Sequence, residues 1–180
     1  DVRVPDAYRV GDIGEGWKVA LTVLGFERGS SNGSSRVGGN WAQAKGLAQH
    51  LGVTSDPVVR DDLARLYSQY RIMALNNQRV AAQTKAGQAP GPEGSISKMI
   101  WVKSMNLMSD VITKILGPRI TADTGEWGTY DWNEHLLGAP GYRIAGGSDE
   151  IQRNIVGERV LGLPGEPRTD KNVPFKDIPK

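Results

Sequence analysis

Between Pro57 and Leu116 the apolar side chains return every three or four positions, the spacing of one face of an α-helix. Val59, Leu63, Leu66, Tyr70, Met73, Asn77 and Val80 mark a first stripe. It opens at Asp56-Pro57, a capping side chain followed by proline at the first helical position. A helix of about 30 residues is predicted there, closed by Gly87. Ile96, Ile100, Leu107, Val111 and Ile115 form a second stripe, with Ser95 as its expected cap and Gly117-Pro118 as its interruption.

Trp17, Ala20, Leu21, Leu24 and Glu27 share an earlier helical face. The run Gly29-Ser30-Ser31-Asn32-Gly33-Ser34-Ser35 is poor helix material, yet helical residues resume at Trp41 and continue to His50, with Gly52 as a stop. A long, broken or locally disordered helix is expected. Gly125 to Tyr130 reads as a turn region, and Trp132 to Leu137 as a short helix leading to the Pro140-Gly141 turn. A final helix should be capped by Ser148, carry Ile151, Ile155 and Val156, and end at Gly162 before Pro164. The predicted fold class is all-α, an antiparallel four-helix bundle with three long helices and one short one.

The two ends differ from this bundle. Over residues 1–15, Val2 and Val4 alternate before Pro5-Asp6, and Gly11, Gly14 and Gly16 follow. That pattern reads as one short strand and a loop, the end of a β domain whose other strands are absent. With no initiator Met, the chain is expected to be part of a longer protein. The helical domain is then 16–167, and 168–180 a polar tail. No internal repeat is visible.

Composition narrows function by exclusion. With 22 basic and 20 acidic residues scattered along the chain, there is no basic stripe to suggest a nucleic-acid partner. The absence of cysteine removes thiolate nucleophiles, disulfides and Cys-based metal centres. His50 and His135 are too few for a His-rich metal site and read as helix-end or surface residues. No apolar run approaches the length of a membrane span and no signal peptide is recognisable, so a cytosolic location is expected.

Three segments carry a resemblance. They are the strand-turn start Val2-Arg3-Val4-Pro5, the helix opening Gly14-Glu15-Gly16-Trp17, and the run from Glu150 through Gly157-Glu158-Arg159 to Leu163-Pro164. Over residues 1 to 167 the chain resembles the carboxy-terminal helical domain of the acyl-CoA dehydrogenases, flavoproteins that desaturate acyl-CoA thioesters. Pro90-Gly91-Pro92-Glu93-Gly94-Ser95-Ile96-Ser97-Lys98 is similar to the actinobacterial branch that acts on steroid side-chain thioesters. The resemblance implies FAD as cofactor, an acyl-CoA as substrate and an electron-transfer flavoprotein as acceptor. It also implies an amino-terminal helical domain and a β domain upstream, without which this segment should be inert.

The implied reaction removes a proton from the carbon alpha to the thioester and a hydride from the beta carbon. Its base must be a carboxylate in a dry pocket, where desolvation raises the pKa. In most of the family that Glu stands two residues before the residue capping the last helix, a place taken here by Gly146, with Gly147 and Ser148 after it. A minority of the family places the Glu on the first helix of this domain, directly before an Arg. Glu27-Arg28 is similar to that arrangement, so Glu27 is the expected base. Read from the residues alone, Glu27 is first a solvated or salt-bridged helix acid, and the resemblance together with the vacant Gly146 turns the reading toward catalysis.

The resemblance further implies cofactor contacts from Gly147, Ser148 and Glu150. Arg28 is either structural or near the thioester arm of CoA, and Gly146 and Gly147 are either a permissive turn or room for a bulky acyl group. Ser148 is first a helix cap, and Trp17, Trp41, Trp101 and Trp132 read as packing anchors. Residues 44–57 lack the Arg-x-x-Phe-Gly by which a family subunit reaches its neighbour's flavin. Lys114-Ile115-Leu116-Gly117-Pro118 replaces the second such set, a Gln-x-x-Gly-Gly, and Pro118 has no amide proton to offer.

A hetero-oligomer with a paralogous subunit, of α2β2 form, is therefore expected. A homotetramer with a rearranged flavin site stays open. So do a non-catalytic structural subunit, a binding module without turnover and a plain helical interaction domain.

Overall fold

The computed structural model describes residues 1–29, 39–88, 91–167, 170 and 173–178. The side chains of residues 27–29, 130, 131 and 175 fall outside the described set. Six α-helices follow one another: α1 (Gly16–Gly29), α2 (Trp41–His50), α3 (Pro57–Lys85), α4 (Gly94–Leu116), α5 (Tyr130–Gly138) and α6 (Asp149–Ile155). Among the described residues there is no strand. Residues 1–5 carry the exposed Val2 and Val4 and make no ladder with another described segment, and a strand exists only against a neighbour. The segment between α1 and α2, where a broken helix was expected, lies mostly outside the described residues.

Capping chemistry sets most helix starts. Asn40 and Gln43 form a reciprocal capping box at α2, the Gln43 amide donating to Asn40 Oδ1 at 3.0 Å and the Asn40 amide to Gln43 Oε1 at 2.8 Å. Asp56 accepts from Val58 N at 2.7 Å, with Pro57 in the first turn of α3. Stops fall where predicted: Gly52, Gly87, Gly117 and Gly162 all take positive φ, which glycine adopts without a Cβ penalty. The last helix is shorter than the sequence suggests, since α6 gives way to a wider π turn over Val156–Val160.

Contacts at successive levels show that neighbouring helices run in opposite directions. Between α3 and α4, Asp62 meets Lys114, while Asn76 meets Ser97. Between α2 and α3, Trp41 Nε1 donates to Leu63 O at 3.0 Å, while Tyr70 reaches back to Gly39 O. The core lies between them. Leu47, Leu66, Met108, Val111, Ile112 and Trp132 are all nearly inaccessible and mutually packed.

Three expectations need correction. Ser95 does not cap α4, because the Pro92-Glu93 turn already enters helical geometry and backbone bonds from Ser95 and Ile96 close it. Ser95 is instead fully buried, its Oγ without a hydrogen-bond partner. His135 ends a helix but is no surface residue: it is 1% exposed, against Trp132 and Met105. Trp17 is no anchor here, at 75% exposed, whereas Trp41, Trp101 and Trp132 do pack. No described side chain of α1 before Glu27 is buried, and Trp17, Leu21, Val23, Leu24 and Phe26 all face outward. A helix this apolar and this bare requires a covering surface.

Candidate active-site rim

The loop between α5 and α6 gathers most of the sequence-predicted residues. Gly146 and Gly147 both take positive φ, 67° and 94°, so the chain turns where a side chain would be strained. Ser148 then caps α6, its Oγ accepting from Ile151 N at 3.4 Å. Glu150 is exposed and lies 3.6 Å from Arg153 on the outer face of α6. Gly146, Gly147, Ser148 and Glu150 thus share one rim. Glu27 sits on the last turn of α1, whose main neighbour is α4, and the side chains of Glu27 and Arg28 lie outside the described residues.

A second set of residues, which the sequence did not single out, lies behind this rim: Lys98 and Gln152 hold its glycine carbonyls, and Arg143 meets only its acid. Lys98, one turn into α4, donates to the Gly147 carbonyl at 2.6 Å and lies 3.5 Å from Asp149. Gln152 is 2% exposed and donates through Nε2 to the Gly146 carbonyl at 3.0 Å. Arg143 Nε meets the other oxygen of Asp149 at 2.9 Å. Arg143's hydrogen bond, followed by the charge of Lys98, holds the Asp149 carboxyl below the usual carboxylate range despite its burial. The only hint lay in the sequence runs Ser97-Lys98 and Glu150-Ile151-Gln152; nothing local announces that Lys98 meets a glycine 49 residues away.

A Cβ at Gly147 would fall 2.4 Å from Gln152 Nε2, so the buried side of the turn is filled. The N–H groups of Gly147 and Ser148 find no acceptor among the described residues. The rim therefore presents hydrogen-bond donors, and its one buried acid is already committed.

At the other end of α4, Lys114 forms an ion pair with Asp62 of α3, whose side chain is largely buried. Gly117 then turns the chain at φ 55° into a 3-10 turn begun by Pro118. The side chain that would have to reach outward is thus held by the bundle itself.

Residues 14–161 match the family model described as "Acyl-CoA dehydrogenase, C-terminal domain". The chain belongs to the acyl-CoA dehydrogenase family. It is 34% identical over 172 residues to acyl-CoA dehydrogenase IpdE1 of Mycobacterium tuberculosis H37Rv, covering 92% of this chain and 43% of that protein. Acyl-CoA dehydrogenase FadE34 of the same organism is 30% identical over 167 residues, covering 91% of this chain and 22% of that one.

Among solved structures, the Tcur3481-Tcur3483 steroid ACAD superposes with a TM-score of 0.75 at 26% identity, over 92% of this chain and 44% of that one. The ChsE4-ChsE5 complex from Mycobacterium tuberculosis shares the fold, with a TM-score of 0.69 at 24% identity over 92% of this chain and 45% of that one. The likeness extends to the actinobacterial steroid branch, and the chain spans under half the length of the curated relatives it matches. Among the described residues, no helix is long and apolar enough to cross a membrane.

Proposed function

We propose that the protein takes part in FAD-dependent α,β-dehydrogenation of an acyl-CoA thioester, a steroid side-chain CoA, with Glu27 as the base. The observation that carries this reading is the state of the acids around Gly146. Gly146 itself has no carboxyl, Asp149 is tied by Arg143 and Lys98 in its ionised form, and Glu150 faces outward beside Arg153. A carboxylate stabilised as an anion is a weak proton acceptor. Glu27, which precedes Arg28 on α1, is the acid that the resemblance offers in their place.

The rim fits the implied cofactor. Its outward N–H groups at Gly147 and Ser148 suit an acceptor-rich edge, and the filled cradle behind Gly147 keeps that edge on the outer side. Bound FAD supplies hydride acceptance from the beta carbon. The protein's own part is to take the alpha proton onto the Glu27 carboxylate, leaving the new double bond conjugated with the thioester. Nothing lies within 4 Å of where a Cβ at Gly146 would stand, which leaves room there for a bulky acyl group.

The assembly follows from the far end of α4. With Lys114 paired to Asp62 and Pro118 replacing an amide donor, this chain does not complete a neighbour's flavin site. An α2β2 heterotetramer with a paralogous dehydrogenase subunit accommodates that loss. The bare face of α1 would be covered by the β domain or the paralogue, and an electron-transfer flavoprotein would take the electrons. The same observation favours a second reading, a structural subunit that supports a catalytic paralogue.

Glu27→Gln in the intact assembly separates the two. Substrate-driven bleaching of flavin absorbance should slow by at least about 100-fold, the span of general-base catalysis. An unchanged rate would eliminate Glu27 as the base and leave the structural subunit.

A further inference from the structure

We propose that Lys98 is a positioning residue for the flavin rim: with Gln152, it fixes two glycine peptides so that the N–H groups of Gly147 and Ser148 face outward as donors. The inference rests on the reading of residues 146–150 as a cofactor rim. It adds the device that sets the rim's direction.

The argument is geometric. No peptide bond described is cis, and in a trans peptide the carbonyl and the N–H point in opposite directions. Gln152 Nε2 draws the Gly146 carbonyl inward at 3.0 Å, which turns the Gly147 N–H away from the bundle. Lys98 Nζ draws the Gly147 carbonyl inward at 2.6 Å, which does the same to the Ser148 N–H. The Gly146–Gly147 peptide lies between two glycines at positive φ with no Cβ to oppose its flip, and the Gly147–Ser148 peptide meets a Cβ only on its Ser148 side, so these two side chains weigh heavily in the choice of direction.

Lysine suits the task because one ammonium serves several acceptors at once. Here it reaches a carbonyl and stands 3.5 Å from Asp149, at only 12% exposure, where a charge-assisted bond is strong. Arg143 serves a different end. It neutralises Asp149 from the outer side and touches neither glycine carbonyl.

The test uses the intact chain in its assembly. Lys98→Met should raise the apparent dissociation constant for FAD by about tenfold or more and speed amide hydrogen exchange at Ile151 and Gln152, whose N–H groups are bonded to Ser148. Lys98→Arg, which keeps a charged donor, should restore part of both. Arg143→Gln should leave FAD affinity within about twofold of the parent. Should Lys98→Met fail to fold, Gln152→Glu, which keeps the shape and replaces the donor with an acceptor, should give the same two changes.

Parental FAD affinity and exchange in Lys98→Met would overturn the proposal. So would an Arg143→Gln variant as impaired as Lys98→Met, because the ion pair alone would then be the cause. The outcome is separable from that at Glu27. Loss of flavin in Lys98→Met with full substrate reduction in Glu27→Gln removes the base and keeps the rim, and the converse removes only the positioning role. An assembly that binds no FAD at all overturns the rim reading, while exchange at Ile151 and Gln152 still reports whether Lys98 holds the turn.

Discussion

A single methyl group at Gly39 should unsettle the bundle more than its size suggests. A Cβ there would stand 2.2 Å from Cη2 of Trp132 and 2.7 and 2.8 Å from Cζ3 and Cζ2. Carbon atoms settle at about 3.5–4.0 Å, so the ring must retreat by about 1 Å or more. Trp132 is 3% exposed within the core, and an indole has no flexible end to fold aside. Nor is Gly39 free to yield: Tyr70 donates to its carbonyl at 3.3 Å, and the capping box begins at the next residue.

Overpacking of this kind costs about 1–3 kcal/mol. For a domain of this size, 2 kcal/mol corresponds to roughly 4–8 °C in melting temperature. Thermal unfolding of the intact chain, followed by far-ultraviolet circular dichroism, would measure it. Trp132→Leu removes the opposing ring atoms at its own cost, so the double variant should fall short of additivity by about 1–2 kcal/mol. Strict additivity would refute the clash. So would a neutral or stabilising Gly39→Ala, the result expected if the only effect were lost freedom in the unfolded chain.

Acidification should weaken the fold in two stages. Burial lowers the pKa of His135 from its ordinary value, an effect larger than the opposing hydrogen bond to Met105. Because Met105 O can only accept, Nε2 carries the proton and Nδ1 is left without a partner. The unfolded chain then binds the proton first, so stability present above about pH 6.5 declines as pH falls toward the folded value. His135→Gln should flatten this stage in urea titrations across pH 5 to 7.

Asp149, held low by Arg143, contributes a second stage. It begins only as pH drops through about 3.9, and Asp149→Asn should abolish it. At the other end of α4, Lys114→Met leaves the mostly buried Asp62 carboxylate unpaired. A loss of about 1–3 kcal/mol in urea unfolding is expected, largely restored by Asp62→Leu in the same chain. No rescue would show that the pair has no structural share.

Much of the bundle was legible because α3 and α4 repeat their apolar stripe over six or more turns, and long periodicity averages out local noise. The caps at Asp56 and Ser148 and the stops at Gly52, Gly87, Gly117 and Gly162 were equally readable, since each is a local device. What failed was non-local. Ser95 has capping chemistry, but Pro92 and Glu93 had already set the helix, which left its hydroxyl in the interior. Trp17 carries the same apolar signal as Trp132, yet only Trp132 meets a core, because the sequence says which face is apolar and not what covers it. At the candidate site, Gly146 through Glu150 are neighbours in the chain and could be named from it, whereas Lys98 became visible only once α4 lay against the loop and Arg143 only once the loop folded back on Asp149.

The glycine at position 146 is better understood as a backbone adaptation than as a deletion. At φ 67° it occupies the left-handed region, where an L-residue pays roughly 1–2 kcal/mol. There is ample room for a side chain, so the obstacle to a carboxyl is conformational and not steric. The neighbouring glycine is also left-handed, and the carbonyls of both are held inward by Gln152 and Lys98. Conformation, tether and the commitment of Asp149 therefore point the same way. Under the proposed function, the loop would present backbone donors, and a base on α1 would divide the labour between two elements. Such a division suits a bulky substrate. On that proposal the loop yields the volume that a glutamate would fill, while the proton acceptor comes from a separate helix.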